Sequence, residues 1–376
     1  MPQPVHQIPH QVWMAKALQL ARNGLYSTAP NPAVGCVVVK NDICVAEGWH
    51  EYSGGPHAEI NAIRSQAIEP GSCFYITLEP CFHQGKTPPC VDALIEQQAA
   101  TVVIAMQDPN PFVAGKSVAK LRAAGIEVVC GILEGEARQL NAGFISRMEK
   151  KRPFVRVKMA ASLDGRTALA NGVSQWISGE PARLDVQRLR ARSSAILTSA
   201  RTILEDNPSM NVRLSKVELN QTFEVRQPIR IVIDSQLCLK GDEKIFSTSG
   251  QIWIVTTNTD QLAHERLTQS GADVILLDDA RQNESVDLSQ LMQYLATREI
   301  NEIHTECGQR LAGALMQQRL VDEIVLYLAP CFLGNKAQGL FDLGEITNMD
   351  SRVNCHISDL RKIGEDIRLT LTPEYL

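Results

Sequence analysis

The chain has 376 residues, 44% of them hydrophobic and 21% charged, and a formal net charge of −5. That length predicts two domains of ordinary size, and an acidic balance with no basic run speaks against a strong nucleic-acid or anionic-membrane binder. No stretch of about twenty apolar residues is present, so no membrane span is expected, and the polar, proline-containing segment Met1 to His10 lacks the apolar core of a signal peptide.

In chain order, Val12 to Arg22 has helical spacing of apolar residues. Val34 to Val39 and Ile43 to Trp49 read as strands joined through Asn41-Asp42, a hairpin. Gly54-Gly55-Pro56 is a turn, and a helix is expected from His57 to about Ile68. Cys73 to Leu78 predicts a buried strand, Cys90 to Gln98 a helix and Thr101 to Met106 a strand. Val113 to Ala124 is a predicted helix, Ile126 to Cys130 a strand, and Glu134 to Glu149 one further helix. The alternation predicts a mixed sheet covered by helices.

The charged break Glu149-Lys150-Lys151-Arg152-Pro153 is the expected boundary, giving domains of 1–150 and 151–376. Beyond it, strands are predicted at Phe154 to Ala160, Ser194 to Ser199, Ile229 to Asp234, Ile252 to Thr257, Asp273 to Leu277, Glu302 to Glu306, Asp322 to Leu328 and Asp366 to Leu371. Helices are predicted at Pro181 to Arg192, Leu288 to Arg298 and Gly308 to Gln318, with a polar loop from Leu214 to Gln227. Cys36, Cys44, Cys73, Cys130, Cys238, Cys307, Cys331 and Cys355 mostly lie in apolar runs and are expected to be buried free thiols of a cytoplasmic protein.

The chemistry concentrates between His57 and Cys90. His57-Ala58-Glu59 is followed by Glu79-Pro80-Cys81 and Thr87-Pro88-Pro89-Cys90. One imidazole and two thiols give Zn²⁺ three ligands and leave a fourth position open, the arrangement of a catalytic site. Glu59 is placed to move protons without being a ligand. His-x-Glu with a later Pro-Cys-x-x-Cys is the zinc deaminase signature, but eight residues, not two, separate Cys81 from Cys90. A structural zinc module is the competing reading, with His83 closing the fourth position.

In the second half, Gly308 to Ala314 follows a strand and opens a helix, where backbone N–H groups suit a phosphate; a plain strand-to-helix turn reads equally well. Arg190 and Arg213 suit a substrate phosphate, or are solvated surface arginines.

His57, Glu59, Cys81 and Cys90 resemble the cytidine-deaminase-like superfamily. With Asn31-Pro32-Ala33-Val34-Gly35, Gly48-Trp49-His50 and the long spacer ending in Thr87-Pro88-Pro89-Cys90, the first half looks like the riboflavin-biosynthesis deaminases. The resemblance implies that His57, Cys81 and Cys90 bind zinc, that Glu59 shuttles the proton, and that Asn31, His50 and Lys86 contact substrate. Lys158 to Arg166, Ser174 to Ser178, Leu197 to Pro208, Arg213, Pro228 to Ser235 and Glu306-Cys307-Gly308 resemble the riboflavin-pathway reductases. The implied fold class is α/β: a three-layer cytidine-deaminase-like domain followed by a dihydrofolate-reductase-like one.

By position, Ala160, Trp176, Thr202, Asp206, Ser235 and the run Gly308, Gln309, Arg310, Leu311, Ala312, Gly313 and Ala314 would line an NADPH site. Ser174, Arg190, Met210, Arg213 and Glu306 would face the substrate. Gln309-Arg310 departs from the proline or threonine common in the family, and Met210 replaces a common leucine, so a backbone contact is the one carried over there. The resemblance implies deamination of a phosphoribosylated diaminopyrimidinone and then hydride transfer from NADPH to the ribosyl carbon, with small-molecule partners, no nucleic acid, no membrane and a homo-oligomeric state. Rival readings are a nucleic-acid or nucleoside deaminase with an accessory nucleotide-binding domain, and a non-enzymatic zinc module.

Overall fold

The computed structural model describes residues 9–82, 89–111, 113–277 and 285–375. The predicted contacts of Lys86 and His83 lie outside the described residues. Two compact units are present: the chain up to Lys151 together with Asn220–Glu224, and Arg152–Leu219 with Val225–Leu376. Among the described residues no helix is long and apolar enough to cross a membrane.

The first unit is built on a five-stranded sheet ordered Ile43–Trp49, Gly35–Lys40, Cys73–Ile76, Thr101–Ile104 and Glu127–Cys130. Its first three strands run antiparallel and its last three parallel. The predicted hairpin turns at Asn41 and Asp42, both with positive φ, as the right-handed strand twist demands of a two-residue turn. Alternation along Gly35–Lys40 splits its side chains between two cores. Cys36 and Val38 join Ala58, Ala62, Val91, Leu94 and Leu121 on one face. Val37 and Val39 join Met14, Leu18, Phe144 and Ile145 on the other. Helices therefore cover both faces, giving three layers.

Local corrections have identifiable causes. The helix expected from Val113 begins at Lys116, because Gly115 takes φ +74° and cannot continue a right-handed turn. The single helix expected from Glu134 to Glu149 is two, Glu134–Leu140 and Ala142–Lys150. Asn141 breaks it by turning its amide onto the Ala33 backbone, accepting from the N–H at 2.8 Å and donating to the C=O at 2.9 Å.

The second unit contains a nine-stranded sheet. Its order is Asp273–Leu276, Ile252–Thr256, Ile229–Ile233, Ala195–Ser199, Glu302–Glu306, Phe154–Ser162, Glu323–Ala329, Asp366–Glu374 and Asn354–Ile363. The first seven are mutually parallel, and the last two pairings, Glu323–Ala329 with Asp366–Glu374 and Asp366–Glu374 with Asn354–Ile363, are antiparallel. One apolar core joins Val155, Val157, Leu197, Ile231 and Ile303 to helices Leu288–Thr297 and Gln309–Gln317. Another joins Ile196, Val232 and Ile254 to helices Ala200–Asp206 and Gln261–Gln269.

Those last two helices and the strand Asn354–Ile363 are absent from the sequence-based expectation. The strand has charged residues at several positions and is exposed along most of its length, so it carries no alternating apolar signal. The cysteine expectation also needs correction. All ten thiols are free, but Cys130, Cys238 and Cys355 are exposed; Cys130 ends an edge strand, Cys355 lies on another edge strand and Cys238 lies in a loop, none inside a core strand.

Candidate active sites

In the first unit, three short segments bring the metal-type donors together. His57 is the N-cap of helix Ala58–Ser65, Cys81 follows the strand Cys73–Ile76 by a few residues, and Cys90 opens helix Cys90–Glu96. One donor atom from each lies within 4.8 Å of the others. His57 Nδ1 is 3.2 Å from Cys90 Sγ, and the Cys90 N–H donates to Cys81 Sγ at 3.2 Å. Tetrahedral zinc with Zn–S and Zn–N bonds of about 2.0–2.3 Å needs ligand atoms roughly 3–4 Å apart. The donor set and its spacing therefore fit zinc.

The electrostatics of the site favour a cation. The hydrogen bond with Cys90 draws the Cys81 thiol well below its ordinary pKa, and the same pairing pushes Cys90 up. Cys81 in turn raises His57 to about 9. Glu59 is 3% exposed, and burial raises its carboxyl to about 7 despite the pull of His57. A group poised there suits proton transfer near neutral pH. Its carboxyl also hydrogen-bonds the Cys90 thiol.

His50 donates from Nδ1 to the Pro56 carbonyl at 2.9 Å, which leaves Nε2 to accept from Asn31 Nδ2 at 3.2 Å. Its ring meets His57 edge-on, centroids 5.5 Å apart at 86°. Burial holds His50 below its ordinary pKa, so it stays neutral. Asn31, His50 and His57 are thus one connected group.

In the second unit, the expected residues gather at the C-terminal ends of the parallel strands, where open α/β sheets place ligands. Glu306 ends Glu302–Glu306, Ser235 follows Ile229–Ile233, and Thr202 lies in the helix after Ala195–Ser199. Arg190 grips Glu306 in bidentate fashion, Nε to Oε1 at 2.5 Å and Nη2 to Oε2 at 2.9 Å. Its Nη1 reaches the Asn211 carbonyl at 2.9 Å, and the Arg213 N–H is tied to Gln187 at 2.9 Å. Arg190 is buried, not a solvated surface arginine. Burial alone would raise Glu306, but Arg190 overrides it and holds the carboxyl well below the ordinary range.

Ser174 donates to Asp206 at 3.4 Å, while Trp176 is 70% exposed under the Arg183 guanidinium, 4.6 Å from the ring centroid. Met210 is buried in the core and has φ +49°, so its backbone is what it can offer a ligand. Gly308 N-caps helix Gln309–Gln317, with Gly308 and Arg310 exposed. Ala312 and Gly313 are buried, and Leu311 and Ala314 pack against the apolar core.

Comparison with known proteins places this architecture. Residues 153–369 match the family model described as the RibD C-terminal domain, and residues 8–106 match that of the cytidine and deoxycytidylate deaminase zinc-binding region. The chain belongs to the RibD family. It is 43% identical over 370 residues to the riboflavin biosynthesis protein RibD of Haemophilus influenzae, covering 96% of this chain and 97% of that one. The Escherichia coli K12 RibD is 44% identical over 367 residues, covering 96% and 98%. Among solved structures, Acinetobacter baumannii RibD superposes with a TM-score of 0.88 at 40% identity, covering 97% of this chain and 99% of that one. A Thermotoga maritima diaminohydroxyphosphoribosylaminopyrimidine deaminase/5-amino-6-(5-phosphoribosylamino)uracil reductase superposes at 0.85 with 32% identity, covering 97% and 98%.

Within this RibD-family chain, three residues of the two sites carry no role in the sequence reading. Glu79 is buried and accepts the backbone N–H groups of Asp108, Gly115, Ser117 and Val118, which anchors the Pro80-Cys81 segment. Its signal was an acidic residue directly before Pro-Cys. Lys158 sits in register with Glu306 on the neighbouring strand; burial lowers its pKa against the pull of Glu306. His304 reaches Glu306 Oε1 at 3.1 Å, and no spacing in the sequence marks it.

Proposed function

We propose that this RibD-family chain is a bifunctional enzyme of riboflavin biosynthesis. It hydrolytically deaminates 2,5-diamino-6-ribosylamino-4(3H)-pyrimidinone 5′-phosphate. It then reduces 5-amino-6-(5-phosphoribosylamino)uracil to the ribitylamino compound with NADPH. The first step is assigned to the unit ending at Lys151 and the second to the larger unit. The observation that carries the reading is the convergence of His57, Cys81 and Cys90 within 4.8 Å beside the buried Glu59.

In the first unit, His57, Cys81 and Cys90 would hold the zinc. The metal supplies Lewis acidity that makes water a nucleophile near neutral pH. Glu59 takes the proton of the attacking water and passes it to the ring nitrogen and the leaving amine; a carboxyl balanced near 7 does both. Asn31 fixes the neutral His50 against His57, and Asn31, His50 and Lys86 are assigned to the substrate.

In the second unit, NADPH supplies the hydride, and the protein supplies position. Ala160, Trp176, Thr202, Asp206, Ser235 and the Gly308–Ala314 segment are assigned to the cofactor. Ser174, Arg190, the Met210 backbone, Arg213 and Glu306 are assigned to the substrate. Glu306, held ionised by Arg190, is placed as a hydrogen-bond acceptor toward the substrate.

The test is to supply the diaminopyrimidinone to zinc-loaded chain, following ammonia release and then NADPH oxidation. Zinc uptake without ammonia release would leave only a structural metal module. We further propose a cytoplasmic homo-oligomer: the thiols are all unpaired, and Ile357 and Leu360 are exposed on the sheet-edge strand. A monomer mass by light scattering would remove the oligomer.

A further inference from the structure

On the strand Glu302–Glu306, alternate side chains share a face, so His304 stands directly behind Glu306. The His304 side chain is 0% exposed and the Glu306 side chain 14%. His304 Nε2 lies 3.1 Å from Glu306 Oε1, the same oxygen that accepts from Arg190 Nε at 2.5 Å. Oε2 accepts from Arg190 Nη2 at 2.9 Å.

An ionised carboxylate only accepts hydrogen bonds, so the imidazole proton sits on Nε2. That leaves Nδ1 bare, and it has no hydrogen-bond partner among the described residues. A neutral ring suits this place: burial holds the His304 pKa below its ordinary value, aided by Arg190 and Arg156 and opposed by Glu306. Other groups act on the charge of Glu306 from every side: Lys158 from the neighbouring strand, Arg213 from the loop, and the Cys307 thiol beside it.

We infer that His304 is a positioning residue for the reduction: as a neutral Nε2–H donor it shares Oε1 of Glu306 with Arg190 and leaves Oε2 as the oxygen that meets the substrate. This rests on the reading that Glu306 faces the substrate. Oε1 is saturated from within the protein. Oε2 accepts one hydrogen bond, from Arg190, and keeps acceptor capacity in a side chain that is 14% exposed.

The experiment assays reduction by the full chain on supplied 5-amino-6-(5-phosphoribosylamino)uracil and NADPH. His304→Leu is expected to lower kcat about tenfold, within the roughly 10²-fold that a 1 Å misplacement can cost, with KM little changed. It should also move the acid limb of the pH–rate profile upward, because the carboxylate has lost a donor to its charged form. His304→Gln keeps an N–H donor and is expected to restore most of the rate. A folded His304→Leu with unchanged kcat and acid limb overturns the inference.

Glu306→Gln separates the two readings. Full reduction by that variant would refute the role of Glu306 itself. Its inactivity alongside a normal His304→Leu would refute only the positioning role. Should His304→Leu not fold, ¹⁵N NMR of the native imidazole decides. A neutral Nε2–H ring from about pH 6 to 8, the range in which histidine ordinarily titrates, is expected; a protonated or Nδ1–H ring overturns the inference.

Discussion

The Cys90 amide donates to Cys81 Sγ at 3.2 Å, bridging two residues on separate segments at the first turn of a helix. That amide belongs to the positive end of the helix, where an anionic sulfur is favoured. Cys81 is drawn down first by the Cys90 thiol, then by His57 and this amide, while Cys90 is pushed up and keeps its proton. His57 is raised to about 9 by Cys81 and is also protonated at pH 7. Metal ligation needs both groups deprotonated.

Zinc binding to the metal-free chain should therefore release protons, between one and two per metal at pH 7. Affinity should rise with pH, the slope easing above about 9, where His57 loses its proton unaided and only Cys90 still has one to release. Calorimetry in buffers of different ionisation enthalpy measures the number. Binding with no proton release, or affinity flat between pH 6 and 8, would contradict the assigned ligand protonation.

Glu79 offers a second check, because it anchors the Pro80-Cys81 segment without belonging to the donor group. It is 3% exposed and ties down four backbone N–H groups around the loop and helix that follow. Glu79→Ala leaves those amides unpaired. Zinc affinity should fall about 10- to 100-fold, the usual effect of losing such support. Competition with a chromophoric chelator reads this directly. An unchanged affinity would mean the segment is held by other contacts.

Much of this was legible in the sequence, for physical reasons that differ by region. The hairpin at Asn41-Asp42 and the strand Ile252–Thr256 announce themselves through turn chemistry and apolar run length. The zinc donors are legible because few side chains ligate zinc and their spacing is unusual. Asn141 was not: it sits where helical spacing continues, and only Ala33, far away in the chain, explains the break. Likewise His304 matters through a contact along its own strand face that no motif encodes.

Gly313 shows a resemblance and a structure assigning different work to one residue. A Cβ there would lie 2.0 Å from the Asp342 carbonyl oxygen. Its smallness therefore serves the packing of helix Gln309–Gln317 against that backbone. Gly313→Ala should destabilise the larger unit by about 1–3 kcal/mol, the range for overpacking. Thermal melting measures the loss. A variant with an unaltered melting point but a raised KM for NADPH would instead place Gly313 at the cofactor.

The Arg190–Glu306 pair gives a pH signature. Burial would raise Glu306, but Arg190 depresses it well below the ordinary value of 4.5. A depressed carboxylate contributes stability that is present above its unfolded pKa and lost as pH falls through the folded one. Wild type should lose stability on acidification below about pH 4.5 more steeply than Glu306→Gln, which has no carboxyl there to titrate. At pH 7 that variant should be less stable by about 3–5 kcal/mol, since a buried arginine is left without its partner. Denaturant melts at pH 7, 5 and 3.5 test this; parallel slopes for the two proteins would contradict it.

The central claim is that one chain performs two separate reactions at two separate sites. Glu59→Gln tests it most directly. The variant should bind zinc as wild type does, lose ammonia release from the diaminopyrimidinone by roughly 10²–10⁴ or more, and still oxidise NADPH at the wild-type rate when the deaminated uracil is supplied. Retained ammonia release, or loss of the reduction step in a folded variant, would contradict the account.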